Sequence, residues 1–486
     1  MRLYERLADD VAWAIGAGVY PPGTRLPSVR DVSRHRGVSV STCVRAYHEL
    51  ERRGVIEAAP RSGFFVVGRR HSALPTIPGG RSSPVAVAGS DRILQLLAAA
   101  TDPRVVNFGA ATPHPDYMPG TAVAAASRTV WGSARRRCMS QAFPPGAVEL
   151  RTAVARRLAM SGCRLDPDGI LITNGCQEAM AIALKTLCRP GDVVAVEAPT
   201  YYGLLEVLEQ QQLRALPIPA DPSQGISLEA LDRALQTGDV RACVVTPVAS
   251  NPLGVTLSDE RKQALVDLVE RHAVALIEDD TYGELVEAGR RHTPVKAWDR
   301  TGLVYYCGSA TKTICAGLRV GWLVAPASRR QSVAFEQYLR TISVNTQAQL
   351  TLAQYLATGQ VDRQLRSAAR SYRGCVSELI ARIERHFPAG TLISAPQGGF
   401  LVWVELPGAV DTASLLGEAL KRGISFAPGA LFAPDDRFGN CMRLNAAVAW
   451  NGRSYEALET LGGLIERSSG RSGFVPNAGT GADPGG

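Results

Sequence analysis

The start of the chain has apolar residues at helical spacing, which favours one buried face. Five residues form this face: Leu3, Leu7, Val11, Ala14 and Ile15. Residues three or four positions apart lie on the same side of an α-helix. The pattern therefore predicts a helix over residues 3–17, and Gly18 with the breakers after it ends the helix.

Two further short helices are predicted next. Ser28 lies three residues before Asp31, the spacing of a capping box, and Gly37 interrupts the pattern that Ser28 opens. Ser39 is the candidate cap of a third helix that runs to about Arg53. Its inward-facing residues are expected to be Val44, Tyr47 and Leu50. Two helices joined by a short turn that contains glycine indicate a helix-turn-helix.

Apolar runs after the third helix predict a small wing. Val55-Ile56 and Phe64–Val67 lie on either side of Arg61-Ser62-Gly63, which is typical of two short strands joined by a turn. Residues 1–68 are thus predicted to form one compact winged domain. Residues 69–95 are rich in Ser, Pro and Gly, a composition that predicts a flexible linker.

From residue 96 to residue 467, short continuous apolar runs alternate with helical patterns. The clearest runs are Gly169–Thr173, Asp192–Glu197, Ala242–Thr246, Ala273–Glu278 and Leu303–Cys307. Continuous apolar runs are typical of strands buried on both faces of a parallel sheet. The predicted fold class is therefore α/β, with a doubly wound sheet. Residues 468–486 have the composition of a disordered tail.

Composition and charge change the picture in two ways. The net charge is +8, and residues 1–70 hold 12 arginines against 7 acidic residues, a local excess of +5. A local basic surplus suggests a polyanion partner. No run of about 18 apolar residues exists, and no signal peptide is evident, so we expect a cytoplasmic protein without a membrane segment. Ten scattered cysteines without a Cys-x-x-Cys pair predict reduced thiols and no metal site.

The winged domain offers a set of candidate DNA contacts. A recognition helix presents its N-terminal side chains to the major groove, and arginines meet phosphates. For any single arginine, a solvated surface charge remains an open alternative. The candidate contacts are Arg25, Ser28, Arg30, Ser39, Ser41, Thr42, Arg45, Tyr47, Arg61 and Gly63.

These residues also resemble the GntR-type winged helix-turn-helix. The resemblance is carried by Gly18-x-Tyr20-x-Pro22-Gly23-x-x-Leu26-Pro27-Ser28-x-Arg30-Asp31, by Gly37-Val38-Ser39, and by Ser62-Gly63-x-Phe65-Val66. Val40 stands where the family usually has arginine, so the operator of a relative does not transfer to this chain. The resemblance implies that the partner is double-stranded operator DNA.

In the second half, Lys312 follows an apolar run in a turn rich in hydroxyl groups. The turn reads Gly308-Ser309-Ala310-Thr311-Lys312, and Arg319 follows seven residues later. A lysine amine forms a Schiff base with an aldehyde, while hydroxyls and an arginine can hold a phosphate. Alone, this motif is weak, and a surface lysine would explain it better.

Other strand ends supply groups that suit a cofactor with an aldehyde, a phosphate and a pyridine ring. Asp279 ends an apolar run, where a carboxylate can pair with a protonated pyridine nitrogen. Tyr282 and Asn251 are suited to a ring oxygen, and Tyr201 is suited to stacking on a ring face. Gly175 enters a helix whose free amides can cradle a phosphate.

In this order, these residues resemble fold-type I aminotransferases, which bind pyridoxal 5′-phosphate (PLP). The resemblance implies a Schiff base on Lys312, a small C-terminal α+β subdomain and a mixed, mostly parallel sheet. It also implies a phosphate site made of Gly175, Cys176, Gln177, Ser309, Thr311 and Arg319, and a carboxylate clamp at Arg443. We expect Cys176 to contribute its backbone amide and not its thiol. Asp280 is interpreted as a structural neighbour, and Tyr202 is as consistent with the core as with the site.

Together, the halves resemble the MocR subfamily of bacterial regulators. This resemblance implies a homodimer that responds to PLP, or to an amine or amino acid that reacts with it. A working aminotransferase with a passive N-terminal domain is the rival interpretation, because the residues that catalysis needs are present. A PLP-free effector-binding module is a third.

Overall fold

The computed structural model describes most of the chain. The residues described are 3–16, 19–20, 24–52, 55–59, 63–66, 74–75, 83–87, 91–286, 292–408, 410–435 and 437–471. The predictions for Gly18, Arg61 and Ser62 concern residues outside these ranges.

The helices and strands follow in chain order. The helices are α1 (Leu3–Gly16), α2 (Val29–Arg36), α3 (Val40–Arg52), α4 (Asp91–Thr101), α5 (Gly120–Ser133), α6 (Arg135–Cys138), α7 (Val148–Ala159), α8 (Cys176–Leu187), α9 (Tyr202–Gln210), α10 (Leu228–Leu235), α11 (Asp259–Arg271), α12 (Arg330–Thr341), α13 (Thr346–Leu356), α14 (Val361–His386), α15 (Thr412–Leu420) and α16 (Gly452–Arg471). The strands are β1 (Ile56–Ala59), β2 (Gly63–Val66), β3 (Val85–Ala86), β4 (Val106–Asn107), β5 (Ile170–Thr173), β6 (Val193–Ala198), β7 (Arg214–Asp221), β8 (Gly225–Ile226), β9 (Val240–Val245), β10 (Ala275–Asp279), β11 (Val304–Ser309), β12 (Gly321–Val324), β13 (Leu392–Ile393), β14 (Leu401–Glu405), β15 (Ile424–Ser425), β16 (Ala427–Pro428) and β17 (Cys441–Asn445).

The N-terminal unit has three helices and a two-stranded wing, as predicted. Ser28 caps α2, because its Oγ accepts a hydrogen bond from the Asp31 amide at 3.2 Å. Gly37 ends α2 at φ 64°, a left-handed conformation that favours glycine. The wing pairs β1 with β2 in antiparallel register, with Ile56 opposite Val66. Helix α1 packs against α3, and Leu7, Val11 and Ile15 of its predicted apolar face belong to this small core, whereas Leu3 is 54% exposed.

The large sheet has nine strands within the described residues, in the order β3-β7-β6-β9-β10-β11-β12-β5, with β8 paired to β7. Strands β7, β6, β9, β10 and β11 run parallel, and β12 is antiparallel to both neighbours. Helices α8 and α9 bury one face of the sheet, and α10 and α11 bury the other. This burial explains why the strand sequences read as continuous apolar runs. A mixed, mostly parallel sheet is therefore confirmed.

A smaller α+β unit follows, as predicted. Its antiparallel sheet has the order β13-β14-β17-β16, and α14, α15 and α16 pack on it. Trp403, Phe426 and Phe432 are fully buried in its core. Helix α14 is 26 residues long and enters this unit from the end of the large sheet domain.

The structure differs from the prediction at two domain boundaries. Strand β3 pairs with β7 at the edge of the large sheet, and α4 begins at Asp91, both within the segment predicted as linker. Two residues of β-structure, flanked by prolines and glycines, have too short an apolar pattern to be detected from sequence. Helix α16 continues to Arg471, four residues past the predicted end of the domain at residue 467.

Candidate cofactor site and DNA-binding face

The carboxyl ends of the parallel strands converge at one edge of the large sheet. Asp279 ends β10, and its partner in the neighbouring strand β11 is Cys307. Ser309 ends β11, and Gly321 of β12 is paired with both Ser309 and Thr173. Residues from four strands are thereby brought to one edge, where α/β sheets bind ligands.

Lys312 lies in the turn that follows β11. Its Nζ donates a hydrogen bond to the Ala111 carbonyl oxygen at 2.6 Å. Burial lowers the pKa of Lys312 to about 8, and the positive charges of Arg443 and Arg319 contribute in the same direction. A lysine amine with this pKa is partly neutral near pH 7, which is the form that attacks an aldehyde.

Asp279 is buried, and one of its oxygens is saturated with donors. Its Oδ1 accepts hydrogen bonds from the Thr281 hydroxyl at 2.6 Å, the Thr281 amide at 3.1 Å and the Cys176 thiol at 3.0 Å. No hydrogen bond to Oδ2 occurs within the described ranges. Burial raises the pKa of Asp279, and the three donors oppose that effect. The second oxygen is available to a donor such as a pyridinium nitrogen.

The turn between β5 and α8 forms an anion cradle. Gly175 adopts φ 86°, and α8 begins at Cys176 without a side-chain cap, so its first amides are free. The Arg319 guanidinium donates to the Asn174 carbonyl oxygen at 3.3 Å. A Cβ on Gly175 would lie 2.9 Å from Arg319 Nη2, and one on Gly321 would lie 2.5 Å from the Gly175 backbone. The backbones approach closely there because both positions are glycine.

The hydroxyls predicted beside this cradle are paired with each other. Ser309 Oγ donates to Thr311 Oγ1 at 2.7 Å and accepts a hydrogen bond from the Thr311 amide at 3.1 Å. Gly321 lies between the anion cradle and these hydroxyls. It pairs with Ser309 in β11 and with Thr173 in β5, and Thr173 is two residues before Gly175. The free amides, the arginine and the hydroxyls match the groups that a phosphate ester needs.

Arg443 is fully buried, and the partners of its guanidinium are uncharged. Nη1 donates to Asn251 Oδ1 at 3.2 Å, and Nη2 donates to the Gly109 carbonyl oxygen. The Nε has no hydrogen-bond partner within the described residues. The guanidinium carbon lies 5.3 Å from the ring centre of Phe432, within reach of a cation–π interaction. A buried arginine with neutral partners is well suited to receive a carboxylate.

The three predicted ring contacts lie near these charges, and one of them, Asn251, is itself the partner of Arg443. Tyr201 donates a hydrogen bond from its hydroxyl to Gln177 Oε1 at 3.3 Å, next to the anion cradle. Tyr282 is buried, and burial raises its pKa while the charge of Arg443 opposes that rise. Tyr202 packs edge-on against Phe432, so the structure places it in the core of the small unit.

Asp280 points to a different set of groups from Asp279. Tyr306 donates its hydroxyl hydrogen bond to Asp280 Oδ2 at 2.7 Å, and His292 Nε2 lies 2.9 Å from Oδ1. Adjacent strand residues face opposite sides of a sheet, so Asp279 and Asp280 have separate surroundings. This arrangement agrees with the interpretation of Asp280 as a structural neighbour.

The candidate DNA-binding face lies around the start of α3. The Ser39 hydroxyl lies 2.9 Å from the Ser41 hydroxyl and 2.8 Å from that of Thr42, and it accepts a hydrogen bond from the Thr42 amide. Ser39 and Ser41 are exposed, and Arg30 and Arg45 are also exposed on α2 and α3. At the wing, the Arg25 Nε is 3.1 Å from where a Cβ on Gly63 would lie, and Gly63 has φ 107°.

Tyr47 is a correction to the predicted DNA contacts. Its side chain is 1% exposed, its hydroxyl donates to the Pro27 carbonyl oxygen at 2.7 Å, and its ring packs edge-on against Phe64. A side chain enclosed in this way cannot reach DNA. The inward orientation predicted for Tyr47 holds, and its assignment as a DNA contact was wrong. Arg61 lies outside the described residues.

Sequence reasoning missed three contacts in the cofactor site. Thr281 was not selected, although its position two residues after Asp279 is a signal, since such residues commonly hydrogen-bond back to a carboxylate. The Cys176 thiol was expected to take no part, yet it contacts Asp279. Ala111 offers only a backbone oxygen to Lys312, from 201 residues away, and carries no sequence signal.

Comparisons with known proteins agree with this geometry. The aminotransferase class I and II family model matches residues 105–454, and the bacterial gntR regulatory family model matches residues 3–66. The uncharacterized HTH-type transcriptional regulator YdcR of Escherichia coli K12 is 37% identical over 468 residues, which are 96% of this chain and 99% of that protein. The chain belongs to the aminotransferase class I and II family, in the branch fused to a GntR domain. The resemblance to MocR-type regulators is thereby confirmed, and with it a DNA-binding transcription regulator.

Solved aminotransferase structures resemble the part of the chain that follows the N-terminal unit. Kynurenine aminotransferase of Pyrococcus horikoshii, in complex with PMP, has a TM-score of 0.73 at 26% identity, over 78% of this chain and 95% of its own. The α-aminoadipate aminotransferase LysN of Thermus thermophilus, complexed with N-(5′-phosphopyridoxyl)-L-leucine, has a TM-score of 0.72 at 25% identity, over 78% and 95%. The fold class and the PLP cofactor are confirmed. Among helices of the described residues, none has the length and apolar character of a membrane span.

Proposed function

We propose that this regulator senses an amino acid or amine through PLP held on Lys312, and that binding of this effector changes its affinity for operator DNA. One observation carries the proposal. A lysine with a pKa of about 8 lies near a buried arginine whose hydrogen-bond partners are uncharged, so the site offers an amine-reactive group and a carboxylate-binding group close together. The two groups together match an α-amino acid.

The cofactor would be held by groups from several strand ends. The amides of Gly175, Cys176 and Gln177 and the Arg319 guanidinium would bind the phosphate, with the Ser309 and Thr311 hydroxyls. Asp279 would accept a hydrogen bond from the pyridine nitrogen through Oδ2. Asn251 and Tyr282 would contact the ring oxygen, and Tyr201 would stack on the ring. Bound PLP supplies an aldehyde carbon that captures primary amines and a ring that withdraws electrons.

The chain's own residues would then select the effector. The Lys312 amine would hold the cofactor, and its lowered pKa would allow this amine, when free, to accept or release a proton near neutral pH. Arg443 would exchange the Gly109 carbonyl oxygen and Asn251 for a carboxylate, which adds the anion that its buried charge lacks. An effector amine without a carboxylate would interact with the cofactor aldehyde and would gain nothing from Arg443.

The winged domain would bind duplex DNA with the N-terminus of α3 in the major groove. Ser39, Ser41 and Thr42 would approach base edges and phosphates, with Ser28 at the start of α2. The arginines expected on phosphates are Arg25, Arg30, Arg45 and Arg61, with Gly63 allowing close approach of the wing. A DNA-binding regulator acts where the chromosome is, so we place the protein in the cytoplasm.

The working unit would be a homodimer. Large apolar side chains are exposed on two neighbouring segments of the aminotransferase domain, and the Ala142–Val344 bridge joins these segments. The most exposed are Met139 at 79%, Leu339 at 61%, Phe335 at 60%, Phe143 at 54% and Ile342 at 49%. A cluster of this kind is typical of a protein–protein interface.

The proposal is tested by measuring DNA affinity and effector chemistry on the same holoprotein. DNA from the upstream region of the protein's own gene is titrated with and without each member of an amino acid panel. An amino acid that perturbs the cofactor absorbance is expected to change DNA affinity in wild type and not in Lys312→Ala. If amino acids of the panel change the cofactor absorbance and none of them changes DNA affinity, the proposal is wrong.

The rival aminotransferase is tested in parallel. The same panel is incubated with 2-oxoglutarate, and products are counted per subunit. A regulator needs about one conversion per binding event, whereas an enzyme turns over at about 1–1000 per second. Sustained turnover at that level would show that the regulator-only view is wrong.

A further inference from the structure

We propose that the thiol of Cys176 is a positioning residue for the cofactor, which fixes the carboxylate of Asp279 so that Oδ2 faces the pyridine nitrogen. The inference rests on the roles proposed above for Asp279 and the anion cradle. It goes beyond them because Cys176 would act on the cofactor twice, through its amide at the phosphate and through its thiol at the ring.

The first step is the geometry of Cys176. It is the first residue of α8, where its amide is one of the free donors of the anion cradle. Its side chain is buried, and its Sγ donates to Asp279 Oδ1 at 3.0 Å, a contact between residues 103 positions apart. One residue therefore joins the two ends of the cofactor site.

The second step is the difference in hydrogen bonding between the two carboxylate oxygens of Asp279. Thr281 supplies two donors to Oδ1, both from the residue two positions ahead on the same segment. Cys176 supplies the third from a different element, so the carboxylate is held from both sides. A carboxylate with three donors on one oxygen cannot rotate without losing them, and the other oxygen remains free for the ring.

The third step is the chemistry of a thiol at this position. Only a protonated thiol can donate, and burial together with the negative charge of Asp279 raises the pKa of Cys176, which keeps the proton on sulfur. A thiol is a weaker donor than a hydroxyl. The Cys176 thiol can therefore orient the Asp279 carboxylate without withdrawing much of its negative charge, and a pyridinium nitrogen needs that charge as its partner. A serine at this position would orient Asp279 equally well and would lower its basicity.

The alternative explanation is that the Cys176 side chain only fills space beneath the site. Nine of the chain's ten cysteines lie elsewhere, and Cys243 offers a matched control. Cys243 is also buried, at 1% exposure against 8% for Cys176, lies in β9 and packs against the opposite face of the sheet from α8. Replacing Cys243 measures what the loss of a buried thiol away from the site does, and Cys176→Ser, which keeps a donor of similar size, separates the hydrogen bond to Asp279 from space-filling.

The test compares Cys176→Ala, Cys176→Ser and Cys243→Ala as full-length holoproteins, with PLP affinity and the pH midpoint of the cofactor absorbance as readouts. Cys176→Ala is expected to weaken PLP binding by about tenfold and to shift the midpoint, since one hydrogen bond to a charged group is lost. Cys176→Ser is expected to restore affinity to within about threefold, with a midpoint shift of opposite sign to that of Cys176→Ala. Cys243→Ala should change neither readout, although it lowers the unfolding temperature.

Two results distinguish the ways in which the proposal can fail. If Cys176→Ala binds PLP as tightly as wild type with an unchanged pH midpoint, the positioning role is wrong. Asp279→Asn tests the assignment on which it rests. If Asp279→Asn also leaves PLP affinity and the midpoint unchanged, the cofactor site itself is misplaced. If Asp279→Asn disrupts both and the Cys176 variants do not, only the inference about the thiol fails.

Discussion

The amine of Lys312 is expected to capture PLP at a much lower pH than an ordinary lysine does. Burial and the charges of Arg443 and Arg319 lower its pKa from 10.5 to about 8. The neutral amine is the reactive form, and its fraction rises as the pH rises through the pKa. At about pH 7, roughly one Lys312 side chain in ten is neutral, compared with about one in 3000 for an unperturbed lysine.

The assay is the initial rate of cofactor attachment to the apoprotein, followed by absorbance near about 420 nm as the pH is varied. With a pKa of about 8, the neutral fraction grows only about 1.8-fold between about pH 8 and pH 9, whereas an unperturbed lysine would gain about tenfold. Lys312→Ala measures the background from other lysines. A rate that still increases about tenfold over that interval would refute the reasoning.

A second variant isolates the electrostatic cause. Arg319→Gln removes one of the two positive charges that depress the Lys312 pKa, so the midpoint should move to higher pH. Because Arg319 is also proposed to bind phosphate, the rate is measured with pyridoxal, which carries no phosphate. An unchanged midpoint with pyridoxal would mean that Arg319 does not contribute and that burial and Arg443 set the pKa.

Three other predictions concern the DNA-binding and effector sites. Arg30→Ala should weaken DNA binding for all sequences and reduce the salt slope by about one, while Arg233→Ala, an exposed arginine on α10, should leave the slope unchanged. Arg443→Lys should weaken binding of α-amino acids to the holoprotein by about tenfold and leave amines without a carboxylate unaffected, as measured by cofactor absorbance; equal losses for both ligand classes would argue against a carboxylate clamp. Tyr47→Phe should destabilise the winged domain by about 1 kcal/mol in urea unfolding, through loss of the bond to Pro27, without changing DNA affinity when the domain is folded; a selective loss of affinity would restore Tyr47 as a contact.

The local features of this protein could be predicted well from its sequence. Ser28 and Gly37 mark the ends of α2 through rules that involve only neighbouring residues. The strand runs in the second half are apolar throughout because both faces of the sheet are covered. Asp279 and Lys312 could be selected because each follows such a run, at the edge where strand ends meet.

The contacts within the site could not be predicted in the same way. Helical periodicity correctly places Tyr47 on the inner face of α3. Its assignment as a DNA contact came from its position in the motif, which does not show which way the side chain points. The linker boundary was missed because β3 has two residues, and its partner β7 lies more than 120 positions later. No local pattern encodes a pairing of that kind.

The sequence by itself determined the winged helix-turn-helix, the α/β layer and the lysine turn, because each depends on periodicity, capping or breakers within a few residues. Only the tertiary structure decided which oxygen of Asp279 is occupied and which groups surround Arg443. Cys176 reaches Asp279 across 103 residues, and Arg443 reaches Asn251 across 192. Such contacts depend on how distant elements pack, and packing is a property of the whole chain.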